Sequence, residues 1–172
     1  GFLAKLFLLS LLPMRLMGLP AGGVITQGNA SIASTKTEMQ VTQSTDKAII
    51  NWDAFDIGLN EAVQFIQPSA TSATLNRIQA KDPSQILGQL TANGRIFLVN
   101  PAGVYFGNQS QVNVGSLVVT TGEIADKEFM EGQYAVTGVG NSAGSISNEG
   151  NIQVENGGIA ALFASNVSNK GK

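Results

Sequence analysis

The chain of 172 residues contains no cysteine and no histidine. Without thiols there are no disulfides, no thiolate nucleophile and no sulfur ligand for zinc. Without imidazole there is no histidine-based triad and no histidine metal site. Only carboxylate chemistry survives this exclusion. Charge is scarce as well: 10 Lys and Arg stand against 12 Asp and Glu, a net charge of −2. With no basic patch, nucleic acid is not expected as a partner. Cofactors and bound metals are not expected either. The acidic group Glu123, Asp126, Lys127, Glu128 and Glu131 has a spacing that fits no calcium loop.

Long apolar runs are also lacking. The stretch from Leu6 to Leu12 lies between Lys5 and Arg15, and Pro13, Gly18 and Pro20 follow. A spanning helix needs roughly 20 apolar residues. The stretch is similar to the core and tail of a secretory signal peptide, with a buried N-terminal helix as the alternative. Residues 1–21 are therefore expected to be a signal remnant, cleaved near Gly18 or Ala21. The first residue is Gly1, not Met, so the start is expected to be missing. Residues 22–172 are expected to form one domain, large enough for its own core and truncated at its C-terminal end.

What is present is turn-rich β-structure. There are 20 glycines and 14 asparagines among many Val, Ile, Thr and Ser. Both residues accept positive φ, so left-handed or bulged backbone is expected where they recur at turns and corners. From Val24 onward, strands of three to six residues alternate with turns. One helix signal interrupts them: Asp82 suits an N-cap, Pro83 the first helical position, Gln85 a capping box and Gly88 the stop. Residues 121–134 break the rhythm and read as a loop or short hairpin outside the main body. Ser147-Asn148-Glu149-Gly150 recurs as Ser168-Asn169-Lys170-Gly171, 21 residues on. A period near 20 with short strands is the mark of a β-solenoid.

The expected architecture is all-β: a parallel β-helix with an N-terminal cap within residues 24–52 and an extra-helical loop or hairpin. Its chain turns every few residues because it winds around a narrow core. Ile96-Phe97-Leu98-Val99 is apolar on both faces, so cover is expected on its outer side, with residues 121–134 as candidates. Trp52 and Phe55 read as core or cap aromatics in preference to a ligand platform. Asn76-Arg77 is unusual in an apolar strand. It is read as either a partner contact or a solvated or ion-paired arginine. Asn100-Pro101-Ala102-Gly103 has the chemistry of a turn: the residue before proline is extended, and proline presets φ.

Several ordered motifs carry a family resemblance. They are Ala48-Ile49-Ile50-Asn51-Trp52 with Phe55-Asp56-Ile57-Gly58, Val63-Gln64-Phe65 with Leu75-Asn76-Arg77-Ile78, and Gly94-Arg95-Ile96-Phe97-Leu98-Val99-Asn100-Pro101-Ala102-Gly103-Val104 with Gly107. Together they resemble the N-terminal secretion domain of two-partner-secretion exoproteins, the filamentous-haemagglutinin and haemolysin-like family. The likeness spans roughly residues 19 to 172. The family motif Asn-Pro-Asn-Gly-Ile falls on Asn100, Pro101, Ala102, Gly103 and Val104. Ala102 lacks the amide of the family residue, and Val104 keeps its β-branching. A second motif, Asn-Pro-Asn-Leu, is absent, the nearest stretch being Leu59-Asn60-Glu61-Ala62.

The resemblance implies a right-handed parallel β-helix and no enzymatic activity. It implies an outer-membrane β-barrel transporter as partner, whose periplasmic domains recognise this segment at Asn100–Val104. The product would be secreted or displayed on the surface of a Gram-negative bacterium. The whole protein would be a large adhesin, haemagglutinin, haemolysin or toxin carrier that meets host cells or glycans through a downstream region. Export as unfolded chain would account for the missing cysteines; a stacked β-fold that needs no disulfides accounts for them equally. The rival readings are an adhesive repeat fragment and a polysaccharide-active enzyme on the same fold. The latter would need carboxylates clustered on one outward face, and here they are scattered.

Overall fold

A computed structural model describes residues 18–172. Most of the signal-like segment expected over 1–21 lies outside the described residues. Ala21 already belongs to the folded body, bridged in antiparallel fashion to Ala54.

The chain opens with β1 (Val24–Gln27) and β2 (Ala30–Ser34), then enters coils with β3 (Glu38–Gln43) and β4 (Lys47–Trp52). The next strands are β5 (Ala62–Ile66), β6 (Ala73–Ile78) and β7 (Ser84–Ile86). After them come β8 (Gln89–Ala92), β9 (Arg95–Val99), β10 (Gly103–Phe106), β11 (Gln111–Val114) and β12 (Ser116–Thr120). Following an excursion, β13 (Ser145–Asn148), β14 (Asn151–Val154), β15 (Ala160–Phe163) and β16 (Asn166–Asn169) resume the winding. Three sheets result, ordered β1-β4-β6-β9-β12-β15, β2-β3-β5-β8-β11-β14 and β7-β10-β13-β16. Every pairing beyond β1 and β2 is parallel, each strand lying on its counterpart one coil away. This is the parallel β-solenoid expected from the sequence. The 21-residue repeat is one coil: Ser147 pairs with Ser168 and Asn148 with Asn169, whose amides bond at 2.9 Å.

The cap is antiparallel. β1 pairs with β4 and β2 with β3, so the first coil does not offer a free parallel edge. Covering an edge in this way prevents unwanted strand addition.

Alternation along each strand divides two cores. Ile50, Leu98 and Val119 point inward with Val41, Phe65 and Phe106 and form the central column. Ile49, Leu75 and Phe97, one residue out of phase and paired floor to floor, point outward. They are buried nonetheless, because residues 121–144 fold back over them. This excursion carries α1 (Asp126–Met130), whose Phe129 is fully buried. Phe129 meets Phe97 edge to face at 5.3 Å, and Tyr134 lies 4.7 Å from the same ring. The cover expected for the apolar strand is thus present, although it is built on a helix and one Glu123–Thr137 bridge instead of a hairpin.

Two expectations need correction. The helix signal at 82–88 gives a strand, β7. Ile86 stacks under Phe106, both completely buried, and the Gln85 backbone N–H donates to the Asp56 carboxylate at 2.8 Å. Tertiary pairing overrides a local capping pattern that had too few residues to propagate. Second, the corner residues do not generally serve left-handed backbone: no described residue other than glycine has positive φ. Corner glycines are selected by stacking. A Cβ on Gly115 would lie 2.7 Å from the Gly94 carbonyl oxygen, and one on Gly158 would lie 2.1 Å from that of Gly115. Glycine columns let successive corners approach to one strand spacing, about 4.8 Å.

Candidate recognition site

The Asn100–Val104 motif forms the corner between β9 and β10. Asn100 is fully buried. Its side-chain oxygen accepts the Ala102 N–H at 2.9 Å, and its carbonyl accepts the Gly103 N–H at 3.0 Å, closing the turn. Its side-chain amide donates to the Ser84 hydroxyl at 3.0 Å and to the Asp82 carbonyl at 3.3 Å. Its backbone N–H donates to the Thr120 carbonyl. One side chain therefore ties the turn to the strand entry of the preceding coil. Gly103 has φ of 114°, and a Cβ there would sit 2.5 Å from the Ser145 carbonyl oxygen. Val104 is buried in the central column, Ala102 is half-buried and Pro101 is exposed.

Asn76 and Arg77 separate. Asn76 faces inward and is fully buried; it accepts the Trp52 indole N–H at 2.9 Å and donates to the Phe97 carbonyl at 3.2 Å. Arg77, the next residue, faces outward. Its guanidinium pairs with Asp126 at 2.6 Å and donates to the Ile124 carbonyl at 2.8 Å. Arg77 is thus ion-paired, and it latches the excursion to the coil. Partly exposed pairs of this kind contribute about 1 kcal/mol or less. The Phe97–Phe129–Tyr134 cluster therefore does most of the holding.

The latch and the turn face one groove of about 500 Å³. Arg77, Val99 and Pro101 line the coil side, and Glu123, Ile124 and Asp126 line the excursion side. The far end of the excursion returns to the turn, where the Ser142 hydroxyl donates to the Pro101 carbonyl. Pro101 and Arg77, separated by 24 positions in the chain, thus share a surface. Asp126 was missed as a site residue because it sits in an acidic run that reads as a solvated loop. The only available signal was that an outward arginine in an apolar strand needs a counter-charge.

The carboxylates of the groove are Glu123 and Asp126, and Asp126 is committed to Arg77. Asp46, held below the usual carboxylate range by hydrogen bonds from Lys47 and then Ser72, lies elsewhere. So does Tyr105, whose phenol is raised above its ordinary range by its hydrogen bond to Glu149. Among the described residues no three acidic side chains converge as a metal site.

Short parallel coils, a capped first coil and a motif turn beside a strapped excursion define a β-solenoid of the secretion-domain class. Residues 17–172 match the family model of the TPS secretion domain, and the chain belongs to that family. The crystal structure of the HMW1 secretion domain from Haemophilus influenzae superposes with a TM-score of 0.80 at 29% identity. That match covers 88% of this chain and 41% of that one. Two heme/hemopexin-binding proteins of Haemophilus influenzae are similar. One, from strain Rd, is 40% identical over 106 residues, and the other is 41% identical over 91. These matches cover 62% and 53% of this chain but only 12% and 10% of those proteins' lengths.

Proposed function

We propose that this domain is the export signal and folding nucleus of a long exoprotein. Periplasmic domains of an outer-membrane β-barrel transporter capture it as extended chain, and it winds into coils outside. The family assignment over residues 17–172 carries the reading. The hydrogen-bond ledger of the motif supports the order of events. Once folded, the Asn100 side chain is buried and committed to Ala102, Ser84 and Asp82. A transporter can read that amide only before the turn closes. Extended segments of the unfolded chain fit strand addition to a receptor edge. Of the candidate contact residues, Pro101 and Arg77 remain at least partly exposed after folding, whereas Asn76 is buried.

Winding supplies direction. Each coil contacts its neighbours, so growth proceeds one floor at a time. At about 0.05–0.15 kcal/mol per residue, a coil of about 21 residues adds on the order of 1–3 kcal/mol. That suffices to disfavour backsliding at each step without a nucleotide.

The product is secreted or surface-held by a Gram-negative cell, through periplasm and outer membrane. Its role is binding and transport instead of catalysis. The relatives' names point to a heme- or hemopexin-binding cargo at least as readily as to an adhesin or haemagglutinin, and host cells or glycans would be met by such cargo. The test is export of a carrier fused to residues 19–172, in cells with and without the cognate transporter. The carrier should reach the medium only when the transporter is present; equal export in both strains refutes the recognition role.

A further inference from the structure

We propose that Asn156 is a site of spontaneous deamidation, where the amide becomes a carboxylate while the coils stay wound. The sequence holds two Asn-Gly pairs, Asn93-Gly94 and Asn156-Gly157. Both asparagines are exposed, so access of water does not separate them. Hydrogen bonding does. The Asn93 side-chain oxygen accepts the Gln67 N–H at 2.8 Å, and its amide donates to the Gln67 carbonyl at 2.8 Å. The Gly94 N–H donates to the Gln67 side-chain oxygen at 2.9 Å. Both reacting groups of that pair are committed. Among the described residues, neither the Asn156 side chain nor the Gly157 N–H has a hydrogen-bond partner. The second turn is free because it is extra chain. Five residues separate Val154 from Ala160, but only two separate their partners Val114 and Leu117 one coil earlier. The surplus bulges outward, closed by the Gly158 N–H donating to the Glu155 carbonyl at 2.8 Å. Gly157 has φ of 81°, and a Cβ there would meet nothing within 4 Å.

A glycine after the asparagine leaves the backbone free to rotate, which brings the Gly157 nitrogen against the Asn156 side-chain carbonyl carbon. A bond forms between them and closes a five-membered succinimide. The side-chain nitrogen leaves as ammonia and carries away the Gly157 amide proton. Water then opens the ring. Cleavage at the former side-chain carbonyl gives aspartate, and cleavage at the main-chain carbonyl gives isoaspartate. No electrons are exchanged, and water is the sole co-reactant. The product sets a new carboxylate beside Glu155 and adds one negative charge to the chain's −2. Because the bulge lies outside the coil register, the stacking of Gly158 on Gly115 is left in place. At Asn93 the same step must first break two side-chain hydrogen bonds and that of Gly94, which slows it by at least about tenfold. The folded protein is therefore marked with age by charge at one corner, and this does not depend on export.

The experiment is ageing of the purified chain at mildly alkaline pH, once folded and once in urea, read by peptide mapping with mass spectrometry. In the folded chain Asn156 should convert at least about tenfold faster than Asn93. The products should be a mixture of aspartate and isoaspartate, and a more acidic species should grow in step on anion exchange. In urea the two sites should convert at comparable rates, since both are then Asn-Gly in open chain. Asn156→Gln should abolish the fast acidic species with its melting temperature unchanged, because the position is exposed. The aged, unsubstituted chain should keep its melting temperature too. The proposal is overturned if Asn93 converts as fast as Asn156 in the folded chain. It is overturned equally if Asn156 converts no faster than the exposed Asn108, which precedes Gln109. An Asn93 that stays slow in urea, an acidic species that persists in Asn156→Gln, or a melting temperature that falls as conversion proceeds would each overturn it as well.

Discussion

Replacing Asn100 with alanine should destabilise the isolated domain by about 2–4 kcal/mol. The side chain is completely buried and makes three hydrogen bonds, to Ala102, Ser84 and Asp82. An ordinary hydrogen bond contributes about 1 kcal/mol net, and stranding a buried partner costs about 1–3 kcal/mol. The turn would lose its internal tie and its anchor to the preceding coil together. Equilibrium urea unfolding followed by circular dichroism measures the change. For a domain of this size the melting temperature should fall by roughly 5–15 °C. Export by the transporter should fall as well. A variant that is clearly less stable and yet exported at the normal rate would leave the motif as a structural corner only. Pro101→Ala provides the contrast: this residue is exposed, so its stability effect should stay within about 1 kcal/mol.

Trp52→Ala should have a still larger effect, about 4 kcal/mol or more. The indole is buried under the cap, and the Phe55 ring meets it edge to face at 5.5 Å. Removing a buried tryptophan typically costs 3–5 kcal/mol. Here it also strips Asn76 of the donor at 2.9 Å that satisfies its buried oxygen. The two contributions can be parted. Trp52→Phe keeps most of the packing and leaves Asn76 unpartnered, and should cost about 1–3 kcal/mol. Trp52→Phe combined with Asn76→Leu removes both polar partners and should recover part of that loss. Full additivity of the two single changes would show that the indole–amide bond contributes nothing.

These residues also mark how far the sequence could be read. Strand rhythm was legible because Glu38–Gln43 and Gln111–Val114 alternate strictly between buried and exposed positions. The repeat at 147 and 168 stated the coil length directly. The need for outer cover was legible in Ile96–Val99, since both faces of that strand are apolar. What covers it was not: an α-helix of five residues is too short to leave a periodic signal, and its partner ring Phe97 lies 32 positions away. Asn76 reads with Arg77 as a candidate partner contact because polarity is read locally, whereas its burial depends on an indole 24 positions earlier. The Arg77–Asp126 latch crosses 49 positions. The corner glycines were visible, but their reason, contact with the carbonyl of the adjacent floor, exists only after stacking. The motif Asn100–Val104 was legible as a turn and as a family mark. The complete burial of its amide came only from the geometry.

Passage through the transporter as loose chain can be tested with a removable cross-link. The chain has no cysteine, so a designed pair would be the sole disulfide. Asn113 and Gln153 are exposed neighbours on adjacent coils, and parallel neighbours about 4.8 Å apart lie within disulfide reach. Asn113→Cys/Gln153→Cys should be exported normally when reductant is supplied and should stall in the periplasm when the bond forms. Cross-linked, folded domain recovered outside the cell at the unmodified rate would contradict the account.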